Sequence, residues 1–351
     1  MVLILLVCQI SMFSCAKEVT VLDNYSSTIF TVTDSIIVND LSIDQLYFNK
    51  TASVIIAKDA YKKVIRTLSY IEKSVKILAT KGRGPGELLN PISFSFNEND
   101  ILELYDVQRS SMIYFNNDLE YLSETSYKSD GIWLHGRSTY EIDHYKFLGI
   151  MDARYADDEN IHLGHFAAIF KDNKPYKLFA KLPEKLHDGN SLYKMSINSF
   201  SPIDSTFIIT WLKDPVIQLW EWKGDTVITK TNEISVYPDL FKISTKRPRK
   251  SDDMLTRRKV SSENSTVLSI HKSENKIYLL FSNYTMQGHL EQDSNLFEYF
   301  IAIYDLDQEK WVYEKQLDEI ALAVDFQHRL YTNKVVGNDS WIKRYQISYE
   351  D

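Results

Sequence analysis

Cysteine is confined to the first fifteen of 351 residues, at Cys8 and Cys15. The body of the chain therefore holds no disulfide, no Cys-ligated metal site and no thiol nucleophile. Glycine is scarce, at 11 residues, where a globular chain of this length carries roughly twice as many. The catalytic signatures G-x-S-x-G and H-E-x-x-H are both missing. A net charge of −8 argues against a surface built for nucleic acid. Aromatic residues, by contrast, are abundant: 22 Tyr, 17 Phe and 6 Trp. Together with many β-branched residues they point to strands. The hydrophobic share of 44% and charged share of 25% are those of a globular chain able to bury its own core.

Residues 2–14 form an apolar stretch that ends at Ser14-Cys15-Ala16-Lys17. It is too short to span a bilayer, which takes roughly 20 residues, and has the length of a signal-peptide core. A small residue followed by Cys at this point resembles the lipobox of bacterial lipoproteins. The resemblance implies that 1–14 is a signal peptide and that Cys15 is lipidated. It places the mature protein, 15–351, at the outer membrane of a bacterial envelope.

A repeating unit runs through the rest of the chain: a polar turn followed by a run such as Ile-x-Leu or Leu-Tyr. Its instances begin at Leu46, Ile101, Ile161, Phe207, Ile277 and Leu330, at intervals of 55, 60, 46, 70 and 53 residues. Each interval suits one four-stranded blade plus a variable loop. A strand candidate precedes each turn (36–38, 92–96, 147–151, 197–200, 267–270 and 320–324). A third strand follows each run, and five units show a fourth after a hairpin turn such as Asn116-Asn117-Asp118. The sixth unit has no fourth strand before the chain ends, whereas 19–22 and 28–33 are surplus at the start. One of those segments can complete the last sheet and remove the free edges. The expected fold is all-β, a six-bladed β-propeller of four-stranded antiparallel blades, closed by an N-terminal strand.

At Lys81 the chain reads Lys-Gly-Arg-Gly-Pro-Gly-Glu-Leu-Leu-Asn-Pro. The pattern of Gly82, Gly84, Pro85, Gly86, Glu87 and Pro91 resembles a hallmark of six-bladed propeller lipoproteins of the Bacteroidetes, the TolB-like and NHL-like relatives. The resemblance implies fold and compartment, and little about activity. Three glycines in five residues allow positive φ or close backbone approach, and Pro85 stiffens the turn. The spacing does not match G-x-x-x-x-G-K-[ST], nor G-x-G-x-x-G, where Glu87 stands in place of glycine. A tight crossover between blades is the reading preferred over Arg83 and Glu87 as ligand contacts.

In a propeller, the turns after the first and third strands of each blade share one face. The connections after the second and fourth strands share the other. Excess length falls in the second group, at 82–91, 123–144, 181–195, 231–262 and 282–299, so that face is the expected ligand face. Trp133, His135 and Arg137 stand together there, an aromatic and cationic set suited to a sugar or an acidic group. The alternative is a Trp that packs its own loop. Segment 246–259, which includes Arg247 and Arg249, holds seven Lys/Arg against two Asp. Ser251-Asp252-Asp253 can cap a short helix within it. Such a segment suits an anionic glycan, lipid headgroups or an acidic partner, or else is a solvated loop. Tyr284 and His289 complete the candidates, with Glu291 beside them.

His162 and His165, three apart on a strand, face opposite sides rather than forming a ligand pair. The acidic turn 157–160 lacks the EF-hand pattern. No metal and no cofactor is expected. The expected function is that of a non-catalytic envelope protein, monomeric, which binds a glycan, peptide or protein on its long-loop face. The alternative is a propeller hydrolase or lyase with acidic or His residues at the central channel.

Overall fold

Strand-forming patterns become six separate sheets in a computed structural model of the chain. It describes residues 28–349 except 40–42, 50, 60–63, 98, 128–130, 143, 156–159, 161–162, 185–195, 202–203, 225–227, 245–252 and 292. The chain enters with β1 (Thr28–Val38), which belongs to the last blade. The first blade is β2 (Ile43–Phe48), β3 (Ile55–Asp59), β4 (Ile65–Ser69) and β5 (Ser74–Ala79). The second is β6 (Pro91–Phe96), β7 (Leu102–Asp106), β8 (Ser111–Phe115) and β9 (Tyr121–Ser126). The third is β10 (Ile132–Ile142), β11 (Tyr145–Asp152), β12 (His165–Lys171) and β13 (Lys174–Lys181). The fourth is β14 (Ser196–Ser201), β15 (Thr206–Trp211), β16 (Asp214–Trp222) and β17 (Ile228–Ile234). The fifth is β18 (Ser265–Ser273), β19 (Lys276–Asn283), β20 (Glu298–Asp305) and β21 (Lys310–Leu317). The sixth joins β22 (Ile320–Val324), β23 (Arg329–Val336) and β24 (Asp339–Tyr349) to β1.

Every neighbouring pair within a blade is antiparallel, and β1 pairs with β24 from Thr28↔Tyr349 to Val38↔Ser340. The N-terminal surplus thus fills the C-terminal deficit, and the ring closes through main-chain hydrogen bonds. Central strands are buried on both faces, as in the uniformly buried Leu-Glu-Leu-Tyr-Asp of β7 and Thr-Phe-Ile-Ile-Thr-Trp of β15. Each face packs on a neighbouring blade, so these strands read as near-continuous apolar runs. Outermost strands are polar, for example β17 (Ile-Thr-Lys-Thr-Asn-Glu-Ile), which discourages edge-to-edge pairing. The buried residues fall into six clusters, one at each interface between blades.

Two blades differ in frame from the sequence reading. In the first, residues 36–38 are the tail of β1, Leu46 lies on the innermost strand, and β5 is a strand that the pattern did not reveal. In the third, β11 is the second strand rather than the first, and Ile161 lies outside the described residues. The innermost strand there is β10, within what reads as a long loop. Its pairing with β11 is interrupted between Leu134 and Thr139, a bulge that carries the polar run His135-Gly136-Arg137-Ser138 and breaks the alternation.

Candidate functional site

Antiparallel order puts the connections after β5, β11, β13, β17 and β19 at one end of the blades, together with the short turns after β7 and β15. Side-chain contacts agree with that grouping. Asp106, at the end of β7, accepts from Leu89 N and, at 3.0 Å, from Asn90 N. Arg109, in the turn that follows, donates to Glu87 O at 2.7 Å and Gly84 O at 3.3 Å while its fork holds the Glu124 carboxylate.

The Gly-Pro motif is built around its own glutamate. Glu87 Oε2 accepts from Gly84 N at 2.6 Å, and a Cβ on Gly82 would stand 2.0 Å from that oxygen. Gly86 holds φ at +74° against Tyr121. Leu88 is fully buried between the first two blades. Glu87 is thus engaged in shaping the crossover, whereas Arg83 is exposed beside it.

Trp133, His135 and Arg137 lie on β10, and their side chains fall outside what the structure describes, as does that of His289 in α2 (Met286–Glu291). Arg247, Arg249, Cys15 and the 157–159 turn also lie outside the described residues. The rest of the basic segment forms α1 (Met254–Ser262), capped by Asp253, whose carboxylate accepts from Thr256 N at 2.9 Å.

Tyr284 is the candidate that the fold brings to a charge. The short β15–β16 turn, Leu212-Lys213, projects Lys213 toward the fifth blade, and Val267 N donates to Leu212 O at 2.8 Å to fix the turn. Lys213 is only 8% exposed. Its Nζ donates to Thr266 Oγ1, on the innermost strand β18, and stands 5.1 Å from the centroid of the Tyr284 ring. Among the described residues no carboxylate pairs with it. Burial alone therefore pushes the ammonium down to about 8. Ser282, the cross-strand partner of Thr266, buries a hydroxyl that has no partner among the described residues. A buried cation, two hydroxyls and a ring thus converge where β18 begins, at the long-loop end of the fourth and fifth blades.

The opposite face carries a second polar group between the second and third blades. Lys146 of β11 bonds Glu103 of β7 at 2.8 Å, Glu141 of β10 at 2.9 Å and the Tyr114 hydroxyl at 3.1 Å. Glu103 is 1% exposed. Burial and the neighbouring Glu141 push its carboxyl well above the usual range, against the opposing pull of Lys146. Neither Lys213 nor this group was singled out by sequence reasoning. Both depend on which strands become neighbours.

Solved structures share this fold at low identity. A member of the DUF4221 family from Bacteroides vulgatus matches with a TM-score of 0.66 at 11% identity, over 93% of this chain and 99% of its own. A Bacteroides fragilis protein described as exported gives 0.52 at 11% identity, over 94% and 97%. A gluconolactonase from Xanthomonas campestris gives 0.50 at 11% identity, over 90% and 91%. At such identities the likeness is one of fold. No protein-family model and no curated protein sequence matches the chain.

Proposed function

We propose that this propeller is a binding protein of the bacterial envelope that takes the anionic group of a glycan or peptide on its long-loop face. The observation that carries the reading is Lys213, a buried ammonium without an anionic partner among the described residues, beneath the Tyr284 ring. A shift from 10.5 to about 8 corresponds to a penalty of about 3 kcal/mol on the charged form. A ligand carboxylate or phosphate would offset that penalty, and the hydroxyl of Ser282, opposite Thr266 and without a partner among the described residues, supplies a donor. The ring adds apolar area and a face for a sugar or a side chain.

Compartment and anchoring belong to the same proposal. The apolar stretch before Cys15 and the small residue beside it support export and lipidation, with 15–351 as one mature domain and the outer membrane as its site. The described exported protein of like fold is consistent with that compartment. The Gly-Pro element supports kinship with the TolB-like and NHL-like propeller lipoproteins. Mass spectrometry of the mature N-terminus tests the anchor: a diacylated Cys15 is expected, and a free or absent Cys15 overturns it.

The ligand reading is tested by thermal unfolding against acidic and neutral sugars, peptidoglycan fragments and acidic peptides. A ligand that binds only the native state, at a hundred times its Kd, adds ~2.7 kcal/mol. Stabilisation by an acidic compound that disappears in Lys213→Met and weakens in Tyr284→Leu is the expected result. Equal stabilisation of wild type and Lys213→Met by every binder would remove Lys213 from the site. The hydrolase alternative is favoured by the gluconolactonase of like fold, and lactone turnover that depends on the same residues would select it.

A further inference from the structure

Among the described residues, the interface between the second and third blades has the fewest buried apolar side chains. Its cluster holds seven buried residues among those described, against fifteen at the next interface. A cleft of about 410 Å³ opens beside it on the short-turn face, walled by Glu103, Glu141, Lys146, Tyr114, Tyr127 and Phe170. The position is independent of Lys213, which lies at the other end of the blades and two interfaces away.

Three facts about the wall point to what it receives. Two carboxylates, Glu103 and Glu141, share a single ammonium, that of Lys146, so the inner wall is one positive charge short. The second oxygen of Glu103 (Oε2) meets no N–H or O–H donor, and the hydroxyl of Tyr127 no partner, among the described residues, and both atoms are buried. These side chains are 1% and 4% exposed and both line the cleft. Aromatic faces complete the enclosure: the Tyr114 ring already lies under an ammonium, with Lys146 Nζ 4.7 Å from its centroid, and the Tyr127 and Phe170 rings stand 5.7 Å apart.

We propose that this cleft is a second binding site, which takes a small organic ammonium group against Glu103, Glu141 and the Tyr127 hydroxyl. The chemistry follows from the charge count. With the cleft empty of a cation, Glu103 reduces the repulsion by holding a proton, which also lets it hydrogen-bond Glu141. An ammonium replaces that proton with a full charge and up to three donors, and the rings receive its apolar stem. Among described residues no group of three carboxylate or imidazole ligands forms, so the wall suits an ammonium better than a metal ion.

Binding is therefore linked to proton release. The titratable groups that face Glu103 are Tyr114 from β8, Tyr127 after β9, Glu141 from β10 and Lys146 from β11. His144 and Asp172 stand exposed at the rim, in the turns before β11 and β13. Glu103 is the group whose raised titration sets the dependence: at low pH it is neutral, and as the pH rises it ionises and the wall gains its second negative charge. The affinity for a cation then rises by up to about tenfold per pH unit until Glu103 is fully ionised.

The probe is n-butylammonium, titrated calorimetrically into the folded protein from pH 5.5 to 8, with n-butanol as the uncharged control. The amine is expected to bind, more tightly as the pH rises, with proton release detected by comparing buffers of different ionisation heat. Glu103→Gln is expected to weaken binding at least about tenfold at pH 8 and to flatten the pH profile. Tyr127→Phe, which leaves the packing in place, is expected to weaken it several-fold, and Lys213→Met to leave it unchanged. Butanol binding as tightly as the amine, amine binding without proton release, or no amine binding at millimolar concentration would each overturn the proposal.

Discussion

Lys146 and Lys213 are buried to nearly the same degree, 7% and 8% exposed, yet the fold drives them in opposite directions. Lys146 is raised above its ordinary range, because Glu103, Tyr114, Tyr127 and Glu141 outweigh the cost of desolvation. Lys213 is lowered to about 8, because desolvation acts on it alone. Burial is thus the same penalty in both places, and the partner decides the outcome. One lysine closes an interface between blades. The other lies at the end of the ring where the long connections meet, with no carboxylate against it among the described residues.

The largest expected effect tests the structural side. Lys146→Met leaves a buried carboxylate, Glu103, and a half-buried one, Glu141, without their cation and should cost about 3–5 kcal/mol in urea unfolding at pH 7. Because Glu103 and Glu141 can then take up protons, the cost should shrink as the pH falls toward 5. A loss of under about 1 kcal/mol at pH 7 would show that the carboxyls are already neutral there, and the contrast would collapse.

A smaller effect of opposite sign is expected at the other lysine. Lys213→Met removes a buried charge that no carboxylate among the described residues pairs, and should raise stability by about 1–3 kcal/mol at pH 7. The sign follows from linkage: a lowered lysine gives its full stability above its unfolded value of 10.5, and that stability is lost as the pH falls through about 8. The advantage of the variant should therefore be complete below pH 8 and shrink by pH 10. A destabilised Lys213→Met at pH 7 would mean that Lys213 is a structural residue after all.

The smallest effect would convert one lysine into the other. Thr266→Asp places a carboxylate where Lys213 now meets a hydroxyl, and should raise its titration by about 1–3 pH units, read by NMR. Stability should change by no more than about 1 kcal/mol, since a second charge is buried as the first is paired. The same variant should lose the response to acidic ligands, because the site would carry its own anion.

These contrasts also mark how far the sequence could be read. The strand units at Ile101, Phe207, Ile277 and Leu330 fold as their patterns indicate, and Asp253 caps the helix expected after it. The Gly-Pro element is a crossover held by Glu87 and Arg109. The first and third blades were misframed for a local reason: β10 is broken by a bulge, and β5 carries the charged and exposed residues of an outer edge. A polar residue set between Leu102 and Leu104, as Glu103 is, reads by alternation as solvent-facing. In a blade covered on both sides there is no solvent face, so it is buried.

Alternation, turn residues and the surplus strand at the N-terminus are local features. By themselves they determined an all-β chain of six units, closed on itself, with four of the five expected long connections at one end; the fifth, 123–144, is instead mostly the strands β9 and β10. Charge pairing is not local. Glu103 and Lys146 are 43 positions apart and Lys213 and Thr266 are 53, and nothing within either segment marks it as the partner of the other. Only the packing of neighbouring blades decided which lysine met two carboxylates and which, among the described residues, met none, because desolvation and Coulomb attraction act through space rather than along the chain.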